Sequence, residues 1–167
     1  WPETMPNAQD CLFHIEQRSG AVFSFACRSG GRLVGAKRPH LTRLGRFGFH
    51  LGVGWSLAEE LQFFSLKDPE LKTILLERTE SARPPFPVAL SAEQDSAVCD
   101  LWDAMRQNGS EQAVAQLVSH LRKTDALQQT RAKMAQSVWS AQSALRELPP
   151  SQHRDAMEAL AKSVLTV

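Results

Sequence analysis

The stretch Leu51-Gly-Val-Gly-Trp-Ser-Leu-Ala-Glu-Glu-Leu-Gln-Phe-Phe64 decides how this chain is read. Its glycines recur at helical spacing among apolar residues, and two adjacent acids follow. Acids at i, i+1 and i+4 of a helix put the first and last on one face, where they can share a divalent cation. Here the acids are Glu59 and Glu60, and the i+4 position from Glu59 is Phe63, which ligates nothing. The pattern is a carboxylate-bearing helix with one ligand removed.

Working outward, the helix that carries this stretch is expected from about His40 to Phe64, with Leu41, Leu44, Phe47, Gly48, Leu51, Gly52, Trp55 and Leu57 facing the interior. In a solvent-facing helix its four glycines would each cost about 1 kcal/mol against Ala, so their expected role is to let a neighbouring helix come close. Upstream, a first helix is expected from Ala8 to Gly30 or Leu33, with Leu12, Ile15, Val22, Phe23, Ala26 and Cys27 inside, broken by Gly30-Gly31 and Pro39.

Downstream, Asp68-Pro69 opens a short helix to about Glu80, and Ser81-Ala-Arg-Pro-Pro-Phe-Pro reads as extended because its prolines fix φ and remove donors. Ser91-Ala-Glu-Gln94 has capping-box spacing and predicts a helix start, with an end near Gln107 before Asn108-Gly109. Ser110 is expected to cap a helix to about Arg122. A long helix from Asp125 to Leu148 should bury Leu127, Ala132, Ala135, Val138, Trp139, Ala141 and Leu145. A last helix from about Ser151 should bury Met157, Leu160, Ala161, Val164 and Leu165. There is no Tyr, and the Asn-Gly at 108–109 joins no pair of strand-like runs, so the expected fold class is all-α, in a single domain over 1–167.

The 167 residues are 43% hydrophobic with net charge +1, and the longest uncharged runs, Phe47 to Ala58 and Met134 to Leu145, both fall short of the roughly 20 apolar residues a bilayer span needs. Cys11, Cys27 and Cys99 have no metal spacing and read as idle thiols of a reducing compartment. His14, His40, His50, His120 and His153 are scattered, and no phosphate loop or dinucleotide-binding glycine pattern occurs. Charge is asymmetric: Arg18, Arg28, Arg32, Lys37, Arg38, Arg43 and Arg46 fall between Gln17 and Ala58, a span with no acid. Such a stretch attracts anions, so a helical module binding nucleic acid or anionic lipid is one reading. No aromatic interleaving or helix-turn-helix spacing supports nucleic acid. The start at Trp1-Pro2, without Met and without a basic-then-apolar leader, leads to the expectation of a processed or truncated cytoplasmic chain, or an organelle-matrix one if a targeting segment was removed.

Four segments in order carry a family resemblance. They are Glu16 to Ala36, Leu44 to Leu61, Pro85 to Leu90, and Ala144-Leu-Arg-Glu-Leu-Pro-Pro-Ser-Gln-His-Arg-Asp-Ala-Met-Glu-Ala-Leu-Ala161. Together they resemble the C-terminal half of the trans-polyprenyl diphosphate synthases, all-helical prenyltransferases that join isopentenyl diphosphate to an allylic diphosphate. The resemblance implies a helical bundle corresponding to the C-terminal part of the isoprenoid synthase fold.

It also implies vestigial sites. Arg18-Ser19 stands where the family has its diphosphate-binding Lys-Thr, and Trp55-Ser56 where it has Phe-Gln. Glu59, Glu60 and Phe63 replace the second Asp-rich motif, whose Mg²⁺ the family uses; Arg83 is the stand-in for a lost Gly-Lys cation. Phe47, His50, Trp55, Ser56 and Phe63 are expected at the pocket, and no residue is assigned as catalytic. No first Asp-rich motif occurs in these residues. Glu59 and Glu60 are expected to form structural ion pairs, with Mg²⁺ the cofactor only if activity persists. The expected function is a non-catalytic or regulatory subunit or half, pairing with a homologous or active prenyl synthase chain and a possible prenyl diphosphate ligand. The alternative is the C-terminal piece of an active polyprenyl diphosphate synthase whose upstream catalytic half is a separate or cleaved chain.

Overall fold

The first helix of the chain does not stop at its paired glycines. In the computed structural model, which describes residues 5–66, 68–80 and 83–166 (backbone alone at 68, 69 and 80), α1 (Ala8–Ile15) continues through a π turn (Glu16–Gly20) into α2 (Ala21–Leu33). Gly35, at φ 70°, ends α2: its N–H reaches Arg32 O at 3.0 Å and the Ala36 N–H reaches Gly31 O at 3.0 Å. This is a Schellman stop, and only glycine takes that φ without cost. Pro39 sits in the first turn of α3 (Arg38–Phe63), where a missing N–H costs nothing. The helix thus runs to Leu33, the farther of the two expected ends, and what stops it is Gly35, where Gly30-Gly31 and Pro39 were expected to. Gly31 serves packing, since a Cβ there would lie 2.7 Å from Leu44 Cδ1 and 2.8 Å from Leu41 Cδ2.

The chain divides into two compact units, residues 1–13 with 60–131 and residues 14–59 with 132–167. In the second, α2 and α3 cross almost backbone to backbone. A Cβ on Gly48 would stand 2.4 Å from the Phe23 carbonyl oxygen, and one on Gly52 would stand 2.5 Å from that of Ser19. Neither oxygen can move without moving its helix, so the glycines are what permit the crossing. Gly54 does the same more gently toward α8 (Ala126–Arg146), 3.2 Å from Val138 Cγ2. Phe47, Leu51, Leu57, Val138, Ala141 and Leu145 are buried in this unit, and α9 (Gln152–Ser163) contributes Ala161. Ser151 caps α9 by accepting from the Arg154 N–H at 3.2 Å, as its position after Pro149-Pro150 leads one to expect.

Several expected core positions turn outward. Val22 and Ala26 are exposed on α2, and Trp55 on α3 is 41% exposed. On α8 the buried stripe runs through Ala126, Thr130, Met134, Ser137, Val138, Ala141 and Leu145, leaving Ala132, Ala135 and Trp139 exposed. Thr130 and Ser137 tolerate burial because each hydroxyl donates to the carbonyl four residues back, Ala126 O at 2.8 Å and Lys133 O at 3.1 Å. Leu160 and Leu165 are likewise exposed at the C-terminal end.

The first unit packs α4 (Asp68–Glu80), α5 (Phe86–Gln94), α6 (Ala97–Asn108) and α7 (Glu111–Leu121) around Leu71, Leu75, Val88, Trp102, Met105 and Leu117. Gly109, at φ 58°, stops α6, and Ser110 caps α7 by accepting from the Ala113 N–H at 3.2 Å. Ser91 starts no helix. It lies fully buried inside α5, which begins after Pro85 with Pro87 in its first turn. The expected extended passage is thus confined to residues 83–85 where it is described; Ser81 and Ala82 lie outside the described residues. The cap of α6 comes instead from Asp95, whose Oδ1 accepts from the Ala97 N–H at 2.9 Å.

Candidate functional site

The sequence-predicted site residues of the second unit gather along the α2–α3 crossing. The π turn inserts one extra residue per turn at Glu16–Gly20, and Arg18 and Ser19 ride on it. Such turns re-aim side chains and recur at functional sites. The close approach of Gly52 to the Ser19 carbonyl brings the two chains together, and the Ser56 hydroxyl donates to Ser19 Oγ at 2.6 Å. Arg18 is exposed. One helical turn on, the Trp55 indole N–H donates to Glu59 Oε1 at 3.0 Å. Serine, serine, tryptophan and glutamate are therefore linked in pairs along one crossing, with a cation at its edge.

Phe47 is 1% exposed and belongs to the core. His50 packs edge-on against Phe49, with ring centroids 5.4 Å apart at 84°. Burial pushes its pKa down, Glu16 opposes that, and Arg46 and Lys133 reinforce it, so the imidazole is held neutral at pH 7. His50 lines a small cavity of about 150 Å³ with Glu16, Phe49, Val53, Lys133 and Ser137.

Glu60, next along α3, belongs to the first unit and has a different task. It is 7% exposed, and its Oε2 accepts from the Phe86 N–H at 2.8 Å. Phe86 is the first residue of α5, and the N-cap residue, Pro85, offers no side-chain oxygen. Glu60 thus supplies from 26 residues away both the acceptor and the negative charge that a helix N-terminus calls for. Glu93 does the same for α1, accepting from the Ala8 N–H at 2.8 Å. Near these carboxylates Cys11 is buried, and its thiol is pushed up to about 12, first by burial and then by the charges of Glu60, Asp10 and Glu93. Phe63 lies under the Arg78 guanidinium, 5.5 Å from ring centroid to Cζ, and Arg83 is exposed.

This donor set does not fit a Mg²⁺ ion bridging to a diphosphate. A hard cation of that size needs several oxygens in near-octahedral array. Glu59 is engaged by an indole, Glu60 by a backbone amide, and Phe63 offers no oxygen. Among the described residues no three His, Cys, Asp or Glu side chains stand together in a metal-holding group.

The distant caps escaped the sequence reading, although one signal was there: a helix beginning Pro85-Phe86-Pro87 has no local cap and must take one from elsewhere. Glu16 and Lys133, which face His50, carried no local signal.

The all-helical arrangement is that of the isoprenoid synthase fold, as comparison with solved structures shows. Among solved structures, the polyprenyl synthase of Roseobacter denitrificans matches with a TM-score of 0.83 and 21% identity, over 96% of this chain and 53% of that one. The decaprenyl diphosphate synthase of Rhodobacter capsulatus matches with TM-score 0.79 and 23% identity, over 96% and 50%. The heptaprenyl diphosphate synthase of Staphylococcus aureus matches with TM-score 0.86 and 14% identity, over 99% and 52%. At these identities the likeness is one of fold, and the chain spans about half the length of each. No family model matches the sequence, and no curated protein does. No helix among the described residues is long and apolar enough to cross a membrane.

Proposed function

We propose that this chain is a non-catalytic or regulatory half of a prenyl-synthase assembly of isoprenoid biosynthesis, pairing with an active prenyltransferase chain of the same fold. The observation that carries this reading is the fate of the acids on α3: Glu60 caps α5 and Phe63 sits where a third ligand would stand. Removing Glu60 from its amide would leave a buried donor unsatisfied, which costs about 1–3 kcal/mol before any metal is bound. The apolar outer face of α2, where Val22 and Phe25 are 60% and 73% exposed, supports a partner helix packing there. The partner is a homologous subunit, in a homodimer or a heterodimer.

The test incubates the purified chain with Mg²⁺, isopentenyl diphosphate and short allylic diphosphates, alone and with an active synthase subunit from the same source. The expected result is no product from the chain alone, and a stable complex with altered product length or lifetime in the mixture. Elongated product from the chain alone, or no association by sedimentation, overturns the proposal.

One observation favours a second reading, the C-terminal piece of an active synthase whose upstream half is a separate chain. Arg18, Ser19 and Ser56 keep a cation and two hydroxyls at the crossing, suited to a diphosphate. In the same assay this reading requires turnover when the upstream half is added, with Mg²⁺ ligands coming largely from that half.

A further inference from the structure

The basic residues of the second unit are not spread evenly over its surface. Two open cavities, of about 460 Å³ and 320 Å³, flank the α2–α3 seam and have Ser24, Arg28 and Phe49 in common. The larger adds Phe25, Ser29 and Arg32; the smaller adds Arg46 and His50. They form one groove, and no carboxylate lines either part.

We propose that this groove is an anion site that takes the phosphate or diphosphate group of an ester. Arg28, Arg32 and Arg46 have no ion pair among the described residues, in contrast to Arg43, which pairs with Glu147. Gly45 makes room for the Arg28 stem, whose Cδ and Cγ lie 2.7 Å and 2.9 Å from where a Cβ would be. That seats the aliphatic stem of Arg28 against α3 while the residue as a whole stays exposed. Like charges held around one groove repel, and a bound dianion removes the repulsion. Planar guanidinium forks match phosphate oxygens, and the Ser24 and Ser29 hydroxyls are further donors. Phe49, common to both parts, gives the wall an apolar side for the organic part of the ester. Arg18, Ser19, Ser56 and Glu59 line no part of the groove, so this proposal does not rest on the reading of function above.

The probe is inorganic pyrophosphate titrated into the ¹⁵N-labelled chain, with sulfate as the comparison anion. Saturable shifts are expected at the side-chain Nε–H groups of Arg28, Arg32 and Arg46. The His50 imidazole should titrate at higher pH in the bound state, because the anion offsets Arg46 and Lys133, which act on it together with Glu16. Arg28→Gln with Arg46→Gln should weaken binding at least tenfold with the far-UV circular dichroism unchanged. If that pair disturbs folding, Arg32→Gln alone, at an exposed position, should weaken it at least threefold. Vesicles with and without phosphatidic acid identify the source: recruitment to the acidic vesicles points to a lipid headgroup, and response to free pyrophosphate alone points to a soluble ester. Shifts centred on Arg18, binding no tighter than sulfate, or unchanged affinity in the folded variants would overturn the proposal.

Discussion

The two units solve helix packing in opposite ways. In the first, α4, α6 and α7 meet through large side chains, with Trp102, Leu71 and Leu117 all but removed from water. In the second, α2 and α3 meet through the absence of side chains, with Gly48 and Gly52 set against backbone carbonyls. A core of large side chains can repack when one member changes shape, because rotamers and neighbours adjust. A backbone-to-backbone crossing has nothing to adjust. That rigidity is also what holds Ser19 and Ser56 at 2.6 Å, so the second unit trades tolerance for placement of polar groups.

The largest effect is expected from Trp102→Ala, a loss of about 3–5 kcal/mol by chemical denaturation, with Trp102→Phe recovering a substantial part. Gly48→Ala should cost about 1–3 kcal/mol, since the new methyl meets the Phe23 carbonyl, and no second-site change on α2 short of moving the helix should recover it. If Gly48→Ala were neutral, the contrast between the units would fail. Glu60→Ala should follow at about 1–3 kcal/mol through the loss of the α5 cap, whereas Glu59→Ala should stay within about 0.5 kcal/mol at its exposed site. Adjacent acids with unequal costs would confirm that only one is structural.

Smaller still is a pH effect. The folded-state pKa of His50 lies below its ordinary value, so the unfolded chain binds the proton more readily. The stability tied to neutral His50 is therefore full above about pH 6.5 and is lost as pH falls toward the folded pKa. His50→Gln should flatten the stability profile over that window, read from denaturant midpoints at pH 5.5 and 7.5.

The elements were legible where the signal was local. Gly109 with Ser110, Pro150 with Ser151, and the glycine spacing of α3 each act within a turn or two of themselves, and each ends, caps or admits a helix as its chemistry dictates. The core stripe of α8 was not legible, because Thr130 and Ser137 are buried while Trp139 is 61% exposed. Their hydroxyls satisfy themselves on their own helix, which no hydropathy pattern records. Ser91 misled for the converse reason: its capping-box spacing is sound, but Pro85, Pro87 and the remote Glu60 begin the helix one turn earlier. Of the candidate site, the close crossing was legible in the glycines, but the hydrogen bond between Ser19 and Ser56, expected as separate site residues, emerges only from the structure. The destination of Glu60 depends on a residue 26 positions on and could be found only in three dimensions.

The remote cap on α5 also limits what position 63 could become. An acid placed there would not by itself make a cation clamp, because the neighbouring carboxylate is already committed to an amide it cannot leave cheaply. A second start for α5 would have to come first, so a metal site at this turn needs two coordinated changes, of which the first alone brings no ligand.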